Sequence, residues 1–77
     1  MRPHGPRLII TFPTTVMAMA MEKTCQANGL PGRLIPVPPE ISAGCGMCWM
    51  APPLSRDLFL PVMADHDITW EGIYDQT

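Results

Sequence analysis

The sequence predicts an α+β domain of order β-α-β-β-α-β, on three observations. Two helix-patterned stretches with marked ends alternate with four short apolar runs. Ten prolines and six glycines in 77 residues keep every element short and sharply ended. A balance of 47% hydrophobic to 16% charged residues indicates a folded globule rather than a disordered tail. At this length the chain holds one domain, which buries only about 60% of its unfolded surface.

The run 8–12 (Leu-Ile-Ile-Thr-Phe) is β-branched and aromatic and is stopped by Pro13, so it reads as the first strand. Pro13-Thr14-Thr15 then supplies a helix start, with a threonine hydroxyl able to cap a free backbone N–H. The helix follows over 16–28, and Val16, Met17, Ala20, Met21, Thr24 and Ala27 recur at three- and four-residue spacing as its expected buried stripe. Asn28-Gly29-Leu30-Pro31 ends it, with Gly29 suited to the left-handed position, Leu30 folding back and Pro31 barring continuation. The second strand is expected over 33–37; Pro36 cannot donate to a ladder, which places this strand at an edge or at a bulge. A loop rich in proline and glycine, 38–46, leads to a third strand over Met47–Ala51, halted by Pro52-Pro53.

The second helix is expected to start at Ser55 and to turn Leu54, Leu58, Phe59, Val62 and Met63 inward, with a kink or break at Pro61. The last strand is expected over 68–74, with Gly72 as a possible bulge. This order is that of the ferredoxin-like split βαβ motif: a four-stranded antiparallel sheet with two helices on one face. The domain is expected over 7–77, behind a flexible tail at 1–6. Ile9, Trp49, Trp70 and Tyr74 are candidates for the open sheet face, which a homodimer or another partner can cover.

Net charge is −2, and the five basic residues stand apart at 2, 7, 23, 33 and 56, so no basic stripe exists to bind nucleic acid. No apolar run approaches the roughly 20 residues that span a bilayer. Arg2 and Arg7 ahead of the apolar stretch 8–21 imitate a secretion signal, but Thr11-Phe12-Pro13-Thr14-Thr15 interrupts it. Three cysteines cannot all pair within the chain, which also agrees with a reducing compartment, and the cytoplasm is expected.

The segment with chemical content is Gly44-Cys45-Gly46-Met47-Cys48. Glycines on both sides of Cys45 remove side-chain cover from the sulfur and allow backbone N–H groups to turn towards it as a small anion nest. A thiolate there can attack a persulfide or disulfide and accept its outer atom. The same residues also fit an inert tight turn. Cys48 completes a Cys-x-x-Cys, but Pro52-Pro53 arrives too soon for a helix to follow and activate it. Cys48 is either a resolving thiol or a buried strand residue, with the buried reading preferred.

Met47 and Met50 beside the two thiols suit a soft ion such as Cu(I), although Met17, Met21 and Met63 fit helix packing better. Zinc needs more ligands than this pair with the remote His4 and His66, so no metal is expected. Cys25, near the negative end of its helix, reads as structural. His66 between Asp65 and Asp67 reads as a solvated helix end, Glu40 as a carboxylate bordering the cysteine loop, and Arg33 as an edge-strand charge or a steering group for anions.

The stretch Gly32-Arg33-Leu34-Ile35-Pro36-Val37-Pro38-Pro39-Glu40-Ile41-Ser42-Ala43-Gly44-Cys45-Gly46 resembles the selenium/sulfur carrier-like proteins, small bacterial and archaeal domains. The similarity extends to Phe12-Pro13-Thr14, to Asn28-Gly29-Leu30-Pro31-Gly32 and to Glu71-Gly72-Ile73-Tyr74. The resemblance implies a carrier that holds sulfur or selenium as a persulfide or perselenide on Cys45. It also implies a cysteine desulfurase-like donor and a selenophosphate synthase or sulfur-transfer protein as acceptor. Cys48 has no match in the family pattern, and the proline-rich second helix is less regular than the family's.

The leading expectation is therefore a non-enzymatic carrier working through Cys45, with Gly44, Gly46 and Cys48 as its supporting loop and no cofactor. The alternatives are a thiol–disulfide or Cu(I)-binding module using Cys45 with Cys48, and a non-catalytic dimerisation or interaction domain.

Overall fold

The computed structural model describes residues 5–41 and 44–76. Its elements are β1 (Arg7–Thr11), α1 (Thr15–Ala27), β2 (Arg33–Pro36), β3 (Met47–Ala51), α2 (Arg56–Asp65) and β4 (Gly72–Gln76). The strands form one antiparallel sheet in the order β2-β3-β1-β4, and the architecture is the expected α+β, ferredoxin-like one. The tail expected at 1–6 lies largely outside the described residues. β2 is an edge strand, as Pro36 required.

β1 is central because its residues can be buried on both faces. Leu8 and Ile10, with Phe12 just beyond the strand, face the helices, and Ile9 and Thr11 face away, yet all five are fully buried. Trp49 and Ala51 of β3, Ala18, Met21 and Cys25 of α1, and Phe59 and Met63 of α2 complete one core on the helix side of the sheet. Both helices therefore cover the same face.

The α1 stripe is rotated from the expected one: Ala18, Met21 and Cys25 are buried, with Met17 and Ala20 packed beside them, whereas Val16 is 68% exposed and Ala27 is exposed. The Thr14 hydroxyl accepts from the Met17 N–H at 3.2 Å and fixes where the helix begins. Val16 then lies about 200° from Ala18 around the helix and points to solvent. α2 likewise turns in Phe59, Leu60 and Met63, leaving Leu58 half-exposed and Leu54, which precedes the helix at φ +64°, almost wholly exposed. α2 runs unbroken through Pro61. Pro61 and Asp57, the residues whose backbone bond is lost, are both exposed, so the gap falls on the solvent side.

Both helices end in the same way. Gly29 (φ +66°) turns the chain after α1, and the Leu30 N–H donates to the Cys25 carbonyl at 2.9 Å. Asp67 (φ +55°) turns it after α2, and the Ile68 N–H donates to the Met63 carbonyl at 2.9 Å. Each is a Schellman motif with an apolar residue folded back onto the helix. That second motif corrects the expected last strand. Ile68 is spent as a buried cap residue, and β4 starts only at Gly72, paired with Thr11 in regular register rather than as a bulge.

Trp49 also departs from expectation. It pairs with Ile10 and Leu34, whose side chains face the helices, and it lies in the core instead of on the open face. The face opposite the helices carries Ile9, Thr11, Cys48 and Ile35, with Tyr74 at its β4 side. The loop between β2 and β3 folds back across it. Pro38 is buried, the Gln76 amide donates to the Glu40 carboxylate at 3.1 Å, and a cleft of about 520 Å³ opens between Arg7, Ile35 and residues 36–40. The chain's own loop thus lies on the face where Ile9 was expected to stand open.

Candidate functional site

Cys45 lies where the β2–β3 loop turns back into the sheet. The Val37 N–H donates to the Gly46 carbonyl at 3.0 Å, which closes the loop's base, and Gly46 takes φ +80° to make the turn. On the other side, the Gly44 N–H donates to Glu71 Oε1 at 3.3 Å. A side chain at position 44 would stand 3.5 Å from the Pro13 carbonyl, so the loop lies against the turn that opens α1. Cys45 itself is half-buried against the helix-side core, and its Sγ–H donates to the Met47 carbonyl at 3.2 Å.

Glycine at both flanks therefore has a visible role, but the expected anion nest is altered. The Gly44 N–H is committed to Glu71 and is not available to the sulfur. Sequence names Glu71 only within the stretch 71–74 that carries the resemblance and gives it no site role, because it lies 27 positions from Gly44 and becomes its neighbour only when β4 pairs with β1. The carboxylate that was singled out, Glu40, sits on the back face with Gln76.

The other two cysteines are enclosed. Cys48 pairs with Thr11 and Ile35 on the back face and is fully buried. Burial pushes its thiol up to about 11; the nearby Arg7 guanidinium opposes this and the Cys45 sulfur adds to it. Cys25 is fully buried in the α1 stripe, and burial pushes its thiol up to about 11 as well. All three cysteines are free thiols. Cys45 is thus the most accessible of them, and it leans to the helix side while Cys48 occupies the opposite face.

Among the described residues no three His, Cys, Asp or Glu side chains gather as a metal site. His66, Asp65 and Asp67 are exposed at the end of α2, as a solvated helix end should be. Arg33 is exposed on the edge strand. No helix among the described residues is long and apolar enough to cross a membrane.

No curated protein and no solved structure matches the chain. The family model described as "Putative Se/S carrier protein-like" matches residues 7–75, which takes in both helices, the first three strands, all but the last residue of β4 and the whole Cys45 loop. With nearly its full length matched, the chain belongs to this family of Se/S carrier protein-like domains.

Proposed function

We propose that the protein carries sulfur or selenium as a persulfide or perselenide on Cys45 Sγ and hands it to an acceptor, acting as a carrier and not as an enzyme. The observation that carries this reading is the contrast among the thiols. One stands on a glycine-flanked turn, held at its base and flank by hydrogen bonds from Val37 and Gly44, while Cys25 is sealed in the helix-side core and Cys48 in the opposite face of the sheet. Membership of the Se/S carrier family supports it.

The transfer needs no cofactor. The Cys45 thiolate attacks the outer sulfur of a donor persulfide, and the donor thiolate leaves with the electron pair of the old S–S bond. The carried atom stays on Cys45 as a terminal anion. An acceptor nucleophile then attacks that atom, and Cys45 departs as a thiolate, ready for another cycle. A cysteine desulfurase-like donor and a selenophosphate synthase or sulfur-transfer acceptor, in the cytoplasm, are the partners this reading calls for.

The test is intact-protein mass spectrometry after incubation with a cysteine desulfurase and cysteine, and in parallel with inorganic polysulfide, which needs no protein partner. The expected adduct has the mass of one sulfur atom, maps to Cys45, disappears in Cys45→Ser and persists in Cys48→Ser. An adduct that survives Cys45→Ser, or none from either donor, overturns the proposal.

A further inference from the structure

The two ends of the domain differ in charge. β1 ends, α1 begins, β3 begins and α2 ends at the Cys45 end. Asp65, Asp67 and Glu71 all lie there, and Glu71 touches the Cys45 loop itself through Gly44. Among the described residues the four basic side chains lie elsewhere. Arg7 opens β1, Arg33 opens β2, Arg56 opens α2 and Lys23 is in the C-terminal half of α1. They are matched in number by Glu22, Glu40, Asp57 and Asp75, one pair being the Arg56–Asp75 bridge at 3.3 Å. Among the described residues the excess negative charge thus lies at the end of the domain that carries Cys45.

Apolar surface is exposed at the same end. Val16 is 68% and Trp70 40% exposed. Their chain neighbours are joined, the Thr69 N–H donating to Met17 Sδ at 3.3 Å, which sets the first turn of α1 beside the approach to β4. The clefts of about 340 and 520 Å³ open elsewhere, lined by Arg7 with Arg33 and by Ile35 with Pro38, and neither contains Cys45. The reacting group therefore lies outside both clefts, at the end of the domain where these carboxylates and exposed apolar side chains stand.

We infer that this end is the docking face for a partner protein that presents basic residues around its own reactive atom, with Trp70 and Val16 as the apolar contacts. The inference rests on Cys45 being the transfer atom. A basic rim on the partner complements Asp65, Asp67 and Glu71, steers the encounter and raises its rate. Single charges at a rim act on association more than on final affinity, so a rate is the quantity to measure.

The probes are short peptides whose cysteine is capped as a disulfide with thionitrobenzoate. Cys45 thiolate attacks the peptide sulfur, a mixed disulfide forms, and thionitrobenzoate leaves as a coloured anion, with Cys45→Ser as the blank. A Lys-Lys-Leu-Cys peptide is expected to react about tenfold faster than Glu-Glu-Leu-Cys at low ionic strength. The ratio is expected to approach one in concentrated salt and in the Asp65→Asn, Asp67→Asn, Glu71→Gln triple variant. Those changes keep the backbone: asparagine tolerates the positive φ of Asp67, and glutamine retains an acceptor for Gly44. Lys-Lys-Leu-Cys is also expected to react faster than Lys-Lys-Ser-Cys, and Trp70→Ser to remove that advantage.

Equal or reversed rates for the two charged peptides overturn the docking face while leaving Cys45 as carrier. So does a triple variant that keeps the full ratio, or a Trp70→Ser variant that keeps the preference for leucine. Failure of every peptide to react with wild-type protein overturns the carrier reading and this inference together.

Discussion

Glu71 holds Gly44: the last residue before β4 accepts a hydrogen bond from the backbone immediately before the reactive cysteine, at 3.3 Å. The bond is exposed, so its energetic weight is small, but it ties down a loop rich in proline and glycine. Glu71→Ala is expected to destabilise the fold by about 0.5–1 kcal/mol and to speed amide hydrogen exchange at Gly44. Glu71→Gln, which keeps the acceptor, is expected to restore protection. Unchanged exchange at Gly44 in the alanine variant counts against the brace.

Alkylation at neutral pH separates the three thiols. Cys45 is expected to react with iodoacetamide in the native protein, and Cys25 and Cys48 only after denaturant is added. Peptide mapping of the modified sites reads the result directly.

Burial of two thiols also makes stability depend on alkaline pH. Cys25 and Cys48 rise from 9.0 to about 11 on folding, so between those values the folded chain binds protons that the unfolded chain has lost. Their contribution is complete below pH 9 and is lost as pH climbs through about 11. Urea midpoints measured across this range are expected to fall, and to fall less steeply in Cys25→Ala. A flat profile contradicts the burial of both groups.

Gly32 takes φ +121°, and a Cβ there would stand 2.5 Å from both the Met50 carbonyl oxygen and Trp49 Nε1. One of these obstacles is backbone and the other a core indole, so neither yields cheaply. Gly32→Ala is expected to cost more than about 2 kcal/mol, read as a lowered urea midpoint with an unchanged slope.

Asp67 stands at the left-handed position that glycine fills after α1, and its charge sits near the negative end of the α2 dipole. Asp67→Gly is expected to stabilise the domain by about 0.5–1 kcal/mol. Thermal unfolding of the pair of proteins decides this, with no gain or a loss counting against the assignment.

This same residue explains where the sequence was hard to read. The end of α1 was legible because Asn28-Gly29-Leu30-Pro31 announces it in residue types, and the matching end of α2 was not, because aspartate does not advertise a positive φ. The missed cap displaced the expected start of β4 from Gly72 to Ile68. Short helices posed a similar difficulty: with so many apolar residues on α1 and α2, spacing alone fits more than one stripe, and packing against Trp49 and Ile10 selects Ala18, Met21 and Cys25. Cys45 and its glycines were legible because they are contiguous. Glu71 was not, since its nearness to Gly44 exists only after the sheet has formed.

The loop that presents Cys45 also roofs the back of the sheet, with Pro38 sealed beneath the surface and Glu40 reaching Gln76. In so short a chain, one segment therefore serves as both insulation and instrument. Lengthening or trimming it to alter the reach of the sulfur uncovers Cys48 and Ile9 at the same stroke. Variation in this family member is consequently cheapest on the helices' outer sides, and any re-engineering of the thiol must begin by supplying the sheet with another cover.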